Sequence, residues 1–157
     1  MKLFLDIDGV MVHANPHRQV EMEDDGFYKF NHKAVDALNS FDHTNVELVL
    51  STSHRFRFTI KQWKTIFHKR GIEFKKISII NLELHHRYSR KIEIEKWIND
   101  HNINSDDVII IDDDKSLNGL PDNFKKRLIL TNSYTGLTNS EELMNLVFHY
   151  KNKKHKY

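Results

Sequence analysis

The chain contains no cysteine, which excludes disulfides and thiolate metal sites and fits an intracellular, cytoplasmic setting. Proline and glycine are scarce, at two and five residues, and no linker or internal repeat interrupts the sequence. No apolar run approaches the roughly 20 residues needed to span a bilayer. Acids within the first eight residues argue against a secretory signal, whose opening stretch is basic and then apolar. Charge of one sign is not in excess either. Lys and Arg number 24 against 22 Asp and Glu, a formal net charge of +2 with a pI of about 8.7. Such a balance permits a polyanionic partner without demanding one. What remains is 157 residues, 39% hydrophobic and 29% charged, the size and composition of one domain with a true core.

The most informative segment is Leu3-Phe4-Leu5-Asp6-Ile7-Asp8-Gly9-Val10. It reads as a short apolar strand ending in two carboxylates and a glycine. Like charges held that close repel and raise each other's pKa. A divalent cation resolves the conflict, and hard ions such as Mg2+ take carboxylate and backbone oxygens. Gly9 lets the chain turn sharply and leaves room for an incoming group.

Strand-like runs then alternate with helical patterns. Strands are expected at 2–5, 46–50, 77–80, 108–111 and 128–130, the run Val108-Ile109-Ile110-Ile111 being the most strand-like. Helices are expected from Asn31 to about Phe41, from about Phe56 to Arg70 with Gly71 as the stop, and from Ser89 to about Asn99. A last helix should open at the capping box Thr138-Asn139-Ser140-Glu141. Trp63 and Trp97 lie on apolar helix faces and read as core. Alternation of this kind predicts an α/β, Rossmann-like three-layer sandwich around a parallel sheet of about five strands. Residues 1–150 form one domain, with 10–28 as a flap whose run Glu21–Gly26 makes a hairpin turn, and 151–157 as a basic, frayed tail.

In a parallel sheet, ligands sit beyond the carboxyl ends of the strands. Asp6 and Asp8 follow the first strand here. Ser51, Thr52, Ser53, His54 and Arg55 follow the second, Lys91 opens the helix after the third, and Asp112, Asp113 and Asp114 follow the fourth. Two acid clusters, a hydroxyl and a lysine are what phosphoryl transfer through Mg2+ requires. Arg90 and Lys96 compete with Lys91 for the cationic role, and Ser51 could replace Thr52 if the strand ends one residue early. Asp114 exceeds the minimal pattern and is expected to face solvent. His85-His86 lack the i, i+4 spacing of a zinc helix and read as loop residues. A phospho-accepting receiver domain would need an Asp directly ending a middle strand, and neither the second nor the third strand has one.

This order resembles the haloacid dehalogenase (HAD) superfamily of phosphatases. Its first motif stands as Asp6-Ile7-Asp8-Gly9-Val10, its second as Leu48-Val49-Leu50-Ser51-Thr52, its third as Lys91, and its fourth as Ile110-Ile111-Asp112-Asp113. Within the superfamily the chain looks most like the small HAD domains of Swiss-army-knife RNA repair proteins, on Ser51–Arg55, on Arg90-Lys91 opening a Trp-bearing helix, and on Gly136-Leu137-Thr138. The resemblance implies that Asp6 is the nucleophile, forming an aspartyl-phosphate. It implies that Asp8 is the general acid and base, that Thr52 binds a phosphate oxygen, and that Lys91 neutralises charge. Mg2+ would then meet the Asp6 side chain, the Asp8 carbonyl, and Asp112 or Asp113. Gly9, Ser53, His54 and Arg55 would contact substrate.

HAD enzymes often carry a cap domain after the first motif or between the second and third. Neither gap is long enough here, so no large cap is expected and the mouth stays open. That suits a phosphorylated substrate large enough to exclude water itself: a nucleotide, a nucleic-acid end or a phosphoprotein. The tracts His54–Phe58 and His85–Lys91 mix cations with aromatics beside the mouth and lean toward nucleic acid. The alternative is a catalytically silent HAD-like module that binds nucleic acid or protein.

Overall fold

Lys2–Leu5 forms strand β1 because three consecutive apolar side chains find walls on both faces of a sheet. In this computed structural model, which describes residues 1–82 and 88–156, β1 lies at the centre. It pairs in parallel with β2 (Glu47–Leu50) on one side and β4 (Val108–Asp112) on the other. β3 (Lys76–Ile79) extends the sheet beyond β2, and β5 (Leu128–Leu130) beyond β4, giving the order β3-β2-β1-β4-β5, all parallel.

Alternate side chains along the strands serve two cores. Leu3, Leu5, Leu48, Leu50, Ile109 and Ile111 face one layer. There they meet Ala34, Ala37 and Leu38 of α1 (His32–Leu38), Trp63, Ile66 and Phe67 of α2 (Ile60–Lys69), and Leu143 and Val147 of the last helix. Phe4, Val49, Val108 and Ile110 face the other layer, against Ile94, Trp97 and Ile98 of α3 (Arg90–Asp100). Phe4 and Trp97 meet edge to face at 5.2 Å. A short helix α4 (Asp122–Lys125) precedes β5, and α5 (Ser140–Lys154) closes the fold. This is the three-layer α/β sandwich expected, and among the described residues no cap domain interrupts it.

Element ends differ from expectation where side chains cap the backbone. The helix expected from Phe56 begins at Ile60, because Thr59 and Gln62 form a reciprocal capping box. Before it, Ser53–Phe56 makes a separate 3-10 turn. The last helix is capped by Asn139, whose Oδ1 accepts the Glu141 N–H at 2.8 Å, and not by Thr138. It continues to Lys154, so much of the expected basic tail is helical.

The 10–28 segment is anchored at both ends. Val10, Met11 and Val12 are buried, and the turn Glu23–Gly26 is closed by pairing of Met22 with Tyr28. Asp25 takes both terminal nitrogens of Arg70 at 2.7 and 2.9 Å. Phe27, fully buried beneath the turn, packs against Phe58 and Trp63.

Candidate functional site

Strand register brings the acids together. Leu5 pairs with Ile111 on one side and Leu50 on the other, so the next residues, Asp6, Asp112 and Ser51, lie side by side. The Asp6 N–H donates to the Ile111 carbonyl and the Ser51 N–H to the Leu5 carbonyl, both at 3.1 Å. β1 and β4 flank the point where strand order reverses, the crevice in which open α/β sheets bind ligands. Asp6, Asp112 and Asp113 each offer an oxygen there, all within 4.8 Å of one another.

Asp6 and Asp112 are buried. Burial, and then the Asp112 charge, push the Asp6 carboxyl well above the ordinary carboxylate range, opposed by Arg90 and by the Ile7 N–H that donates to it at 2.8 Å. Burial also raises Asp112, against the pull of Arg90 and of its hydrogen bonds from the Asp114 N–H and from Asp6. The two carboxyls are close enough to share a proton.

The cation over this pair is Arg90. Its Nη1 lies 2.9 Å from Asp112 Oδ2 and 3.4 Å from Asp6 Oδ1. Burial disfavours its charge, but Asp112 and Asp6 outweigh that and hold it charged. Lys91, the expected cation, pairs instead with Glu95 at 3.5 Å, and its stem lies against Gly119. Helical phase explains this placement. Arg90 heads the buried stripe that continues through Ile94 and Trp97, whereas position 91 is rotated about 100° away.

Gly9 makes room for Asp113. A Cβ on Gly9 would sit 2.0 Å from Asp113 Oδ2, and Gly9 has φ +80°. Two residues after β5 support this corner, and neither was among the candidates. Ser133 Oγ donates to Asp113 Oδ2 at 2.8 Å, and Thr131 Oγ1 to the Gly9 carbonyl at 2.6 Å. The signal that finds them is the one that found the others: they follow a strand at its carboxyl end. Asp114 does not simply face solvent, since its Oδ1 accepts the Ser116 N–H at 2.9 Å and caps the 3-10 turn Lys115–Gly119.

Of the residues after β2, Thr52 is buried and its Oγ1 accepts the His54 N–H at 3.2 Å, which leaves its hydroxyl proton free to donate. Ser51 Oγ is buried with no hydrogen-bond partner among the described residues. Ser53 is exposed. Arg55, expected to contact substrate, is instead 0% exposed. It donates to the carbonyls of Ile80 at 2.7 Å, Leu82 at 3.0 Å and Thr52 at 3.1 Å, and meets Glu93 Oε2 at 2.5 Å. It is a structural tie between the Thr52 turn and α3. His54 points at the first motif, with Nε2 2.7 Å from Asp8 Oδ2. Asp8 is not one of the three acids that cluster, its carboxylate pairing with His54 instead. Of the tract His85–Lys91, His85, His86 and Arg87 lie outside the described residues.

Three carboxylates, with no nitrogen or sulfur donor grouped with them among the described residues, match a hard divalent ion. The space that Gly9 leaves for Asp113 is consistent with a built oxygen site. Asp6, Asp112 and Asp113 would hold such an ion, with an oxygen of Asp112 and one of Asp113 both within 4.8 Å of Asp6.

A five-stranded parallel sheet with an N-terminal Asp-x-Asp strand facing paired acids across the switch point defines a HAD-like domain of the hydrolase superfamily. The chain belongs to the family described as the HAD domain in Swiss Army Knife RNA repair proteins, which it matches over residues 2–141. No curated protein matches it. Among the described residues no helix is long and apolar enough to cross a membrane.

Proposed function

We propose that the chain is a Mg2+-dependent phosphomonoester hydrolase acting on nucleic-acid ends through an aspartyl-phosphate. One observation carries this reading: three acids converge within 4.8 Å while Asp8 is held apart on His54, separating the nucleophile and cation site from the proton donor. A divalent ion held by Asp6, Asp112 and Asp113 would neutralise the phosphoryl oxygens and the charge these acids gather.

An Asp6 oxygen attacks phosphorus, the bond from phosphorus to the leaving alcohol breaks, and Asp8 gives that oxygen its proton. Water then attacks the aspartyl-phosphate, Asp8 takes the water's proton, and phosphate leaves as Asp6 is regenerated. Arg90 balances charge on Asp6 and Asp112, and Thr52 donates to a phosphate oxygen. Nucleic acid is favoured among the phosphorylated substrates by the family's association with RNA repair. Exposed aromatics support it too: Tyr134, next to Ser133, and Phe56, whose ring lies under the Arg55 guanidinium at 4.9 Å.

The test is turnover of p-nitrophenyl phosphate and of 3′- and 5′-phosphorylated RNA oligonucleotides. Hydrolysis with Mg2+, lost on chelation and in Asp6→Asn, is expected. No turnover on any of them, or an Asp6→Asn variant as fast as wild type, refutes the reading.

A further inference from the structure

We propose that His54 is a positioning residue for Asp8: its Nε2–H holds one carboxyl oxygen so that the other faces the leaving group. The inference rests on the phosphatase reading above and names a residue that this reading does not require.

Several contacts fix the imidazole. Its backbone N–H donates to Thr52 Oγ1 at 3.2 Å, at the start of the 3-10 turn that follows β2. Its ring meets Phe27 at 5.6 Å and Tyr28 at 5.5 Å, both nearly perpendicular. Phe27 is itself fully buried, and Arg70 donates to the Tyr28 carbonyl at 2.7 Å. The histidine side chain is 19% exposed and that of Asp8 39%. Asp8 is thus the more exposed of the two, and among the described residues His54 supplies the one side-chain hydrogen bond to its carboxylate.

A carboxyl on a half-exposed strand end rotates freely unless something holds it. A general acid must lie within hydrogen-bond reach of the atom it protonates, and misplacement by about 1 Å can cost about 100-fold in rate. Bonding of Oδ2 to His54 removes that freedom and leaves Oδ1 for the departing oxygen, then for the incoming water. A neutral imidazole with its proton on Nε2 suffices, because the role is orientation. The pairing also joins the two strands that carry the chemistry, Asp8 following β1 and His54 following β2. The flap supplies the aromatic wall behind both.

The test uses two His54 variants, an Asp8→Asn background and two leaving groups. His54→Phe keeps a ring against Phe27 and Tyr28 and removes the donor. His54→Gln restores an N–H near the Nε2 position. kcat/KM is measured on p-nitrophenyl phosphate, whose leaving group needs little protonation, and on a 3′-phosphorylated oligonucleotide, whose alkoxide needs a proton. His54→Phe should lose about 10–100-fold more on the oligonucleotide than on the aryl ester, part of the ~10²–10⁴ that a positioned acid contributes. His54→Gln should recover most of that difference. In an Asp8→Asn background the His54→Phe change should cost nothing further on the oligonucleotide. Equal losses on both substrates, an absence of rescue by Gln, or full additivity with Asp8→Asn would overturn the proposal while leaving the phosphatase reading intact. A wild-type protein silent on both substrates would overturn the reading beneath it. Matching melting temperatures for the three proteins exclude a folding defect as the cause.

Discussion

Replacing Arg55 with methionine should destabilise the domain strongly and weaken its chemistry, although no substrate touches the residue. The guanidinium is fully buried, and its partners come from three places: the Ser51 and Thr52 carbonyls, the Ile80 and Leu82 carbonyls beyond β3, and Glu93 on α3. Methionine fills much of the same volume but donates nothing. It leaves Glu93 buried without its cation and several carbonyls unmet. Removing one partner of a buried ion pair costs about 3–5 kcal/mol. For a domain of this length, about 2–4 °C of Tm is lost per kcal/mol. Arg55→Met should therefore melt roughly 6–20 °C below wild type in a thermal scan. Because Glu93 left alone carries much of that cost, Arg55→Met with Glu93→Gln should recover a substantial part of it. Turnover measured well below either midpoint should also fall, since Arg55 braces the turn that carries Thr52 and the helix that carries Arg90. A variant melting within about 2 °C of wild type, or one that Glu93→Gln destabilises further by the full single-mutant amount, would refute this account.

Arg90→Ala should lower kcat by about 10²–10³, the scale of losing one electrostatic donor from an enclosed site, while Lys91→Ala changes it by less than about threefold; steady-state kinetics would expose the reverse order. Gly9→Ala places a methyl against Asp113 and forces a left-handed backbone, at about 1–2 kcal/mol, so both turnover and the Mg2+-induced rise in Tm should drop; normal values of both would contradict the site geometry. Asp6 and Asp112 have folded pKa values raised by burial, so the native state binds more protons than the unfolded one. Their contribution to stability is present below the ordinary value near 3.8 and is lost as pH rises through the folded values. Metal-free wild type should therefore lose stability relative to Asp6→Asn as pH rises from mildly acidic to neutral, and Mg2+ should restore it at neutral pH in wild type alone. Parallel Tm-versus-pH curves for the two chelated proteins would count against this assignment.

Much of the site was legible along the chain because a parallel sheet orders its own rim. Apolar runs mark the strands, strand ends mark one edge, and whatever follows each strand must meet there. Asp6, Asp8, Thr52, Asp112 and Asp113 could be named on that basis alone, and one more application of the rule reaches Thr131 and Ser133. The choice of Arg90 over Lys91 was half visible: the stripe Arg90, Ile94, Trp97 is written in the sequence, but that its head reaches the acids depends on how α3 lies across the sheet.

Composition and periodicity by themselves determined the α/β class, the parallel sheet of about five strands, and the gathering of acids at its carboxyl edge. Tertiary packing alone decided that Arg55 turns inward to Glu93, 38 residues away, and that His54 reaches Asp8, 46 residues away. Local pattern carries information only about a residue's own strand or helix face. Whether a charged side chain faces solvent, substrate or a buried counter-ion is set by which distant element packs over it, and burial makes an unmatched charge too costly to leave the choice open.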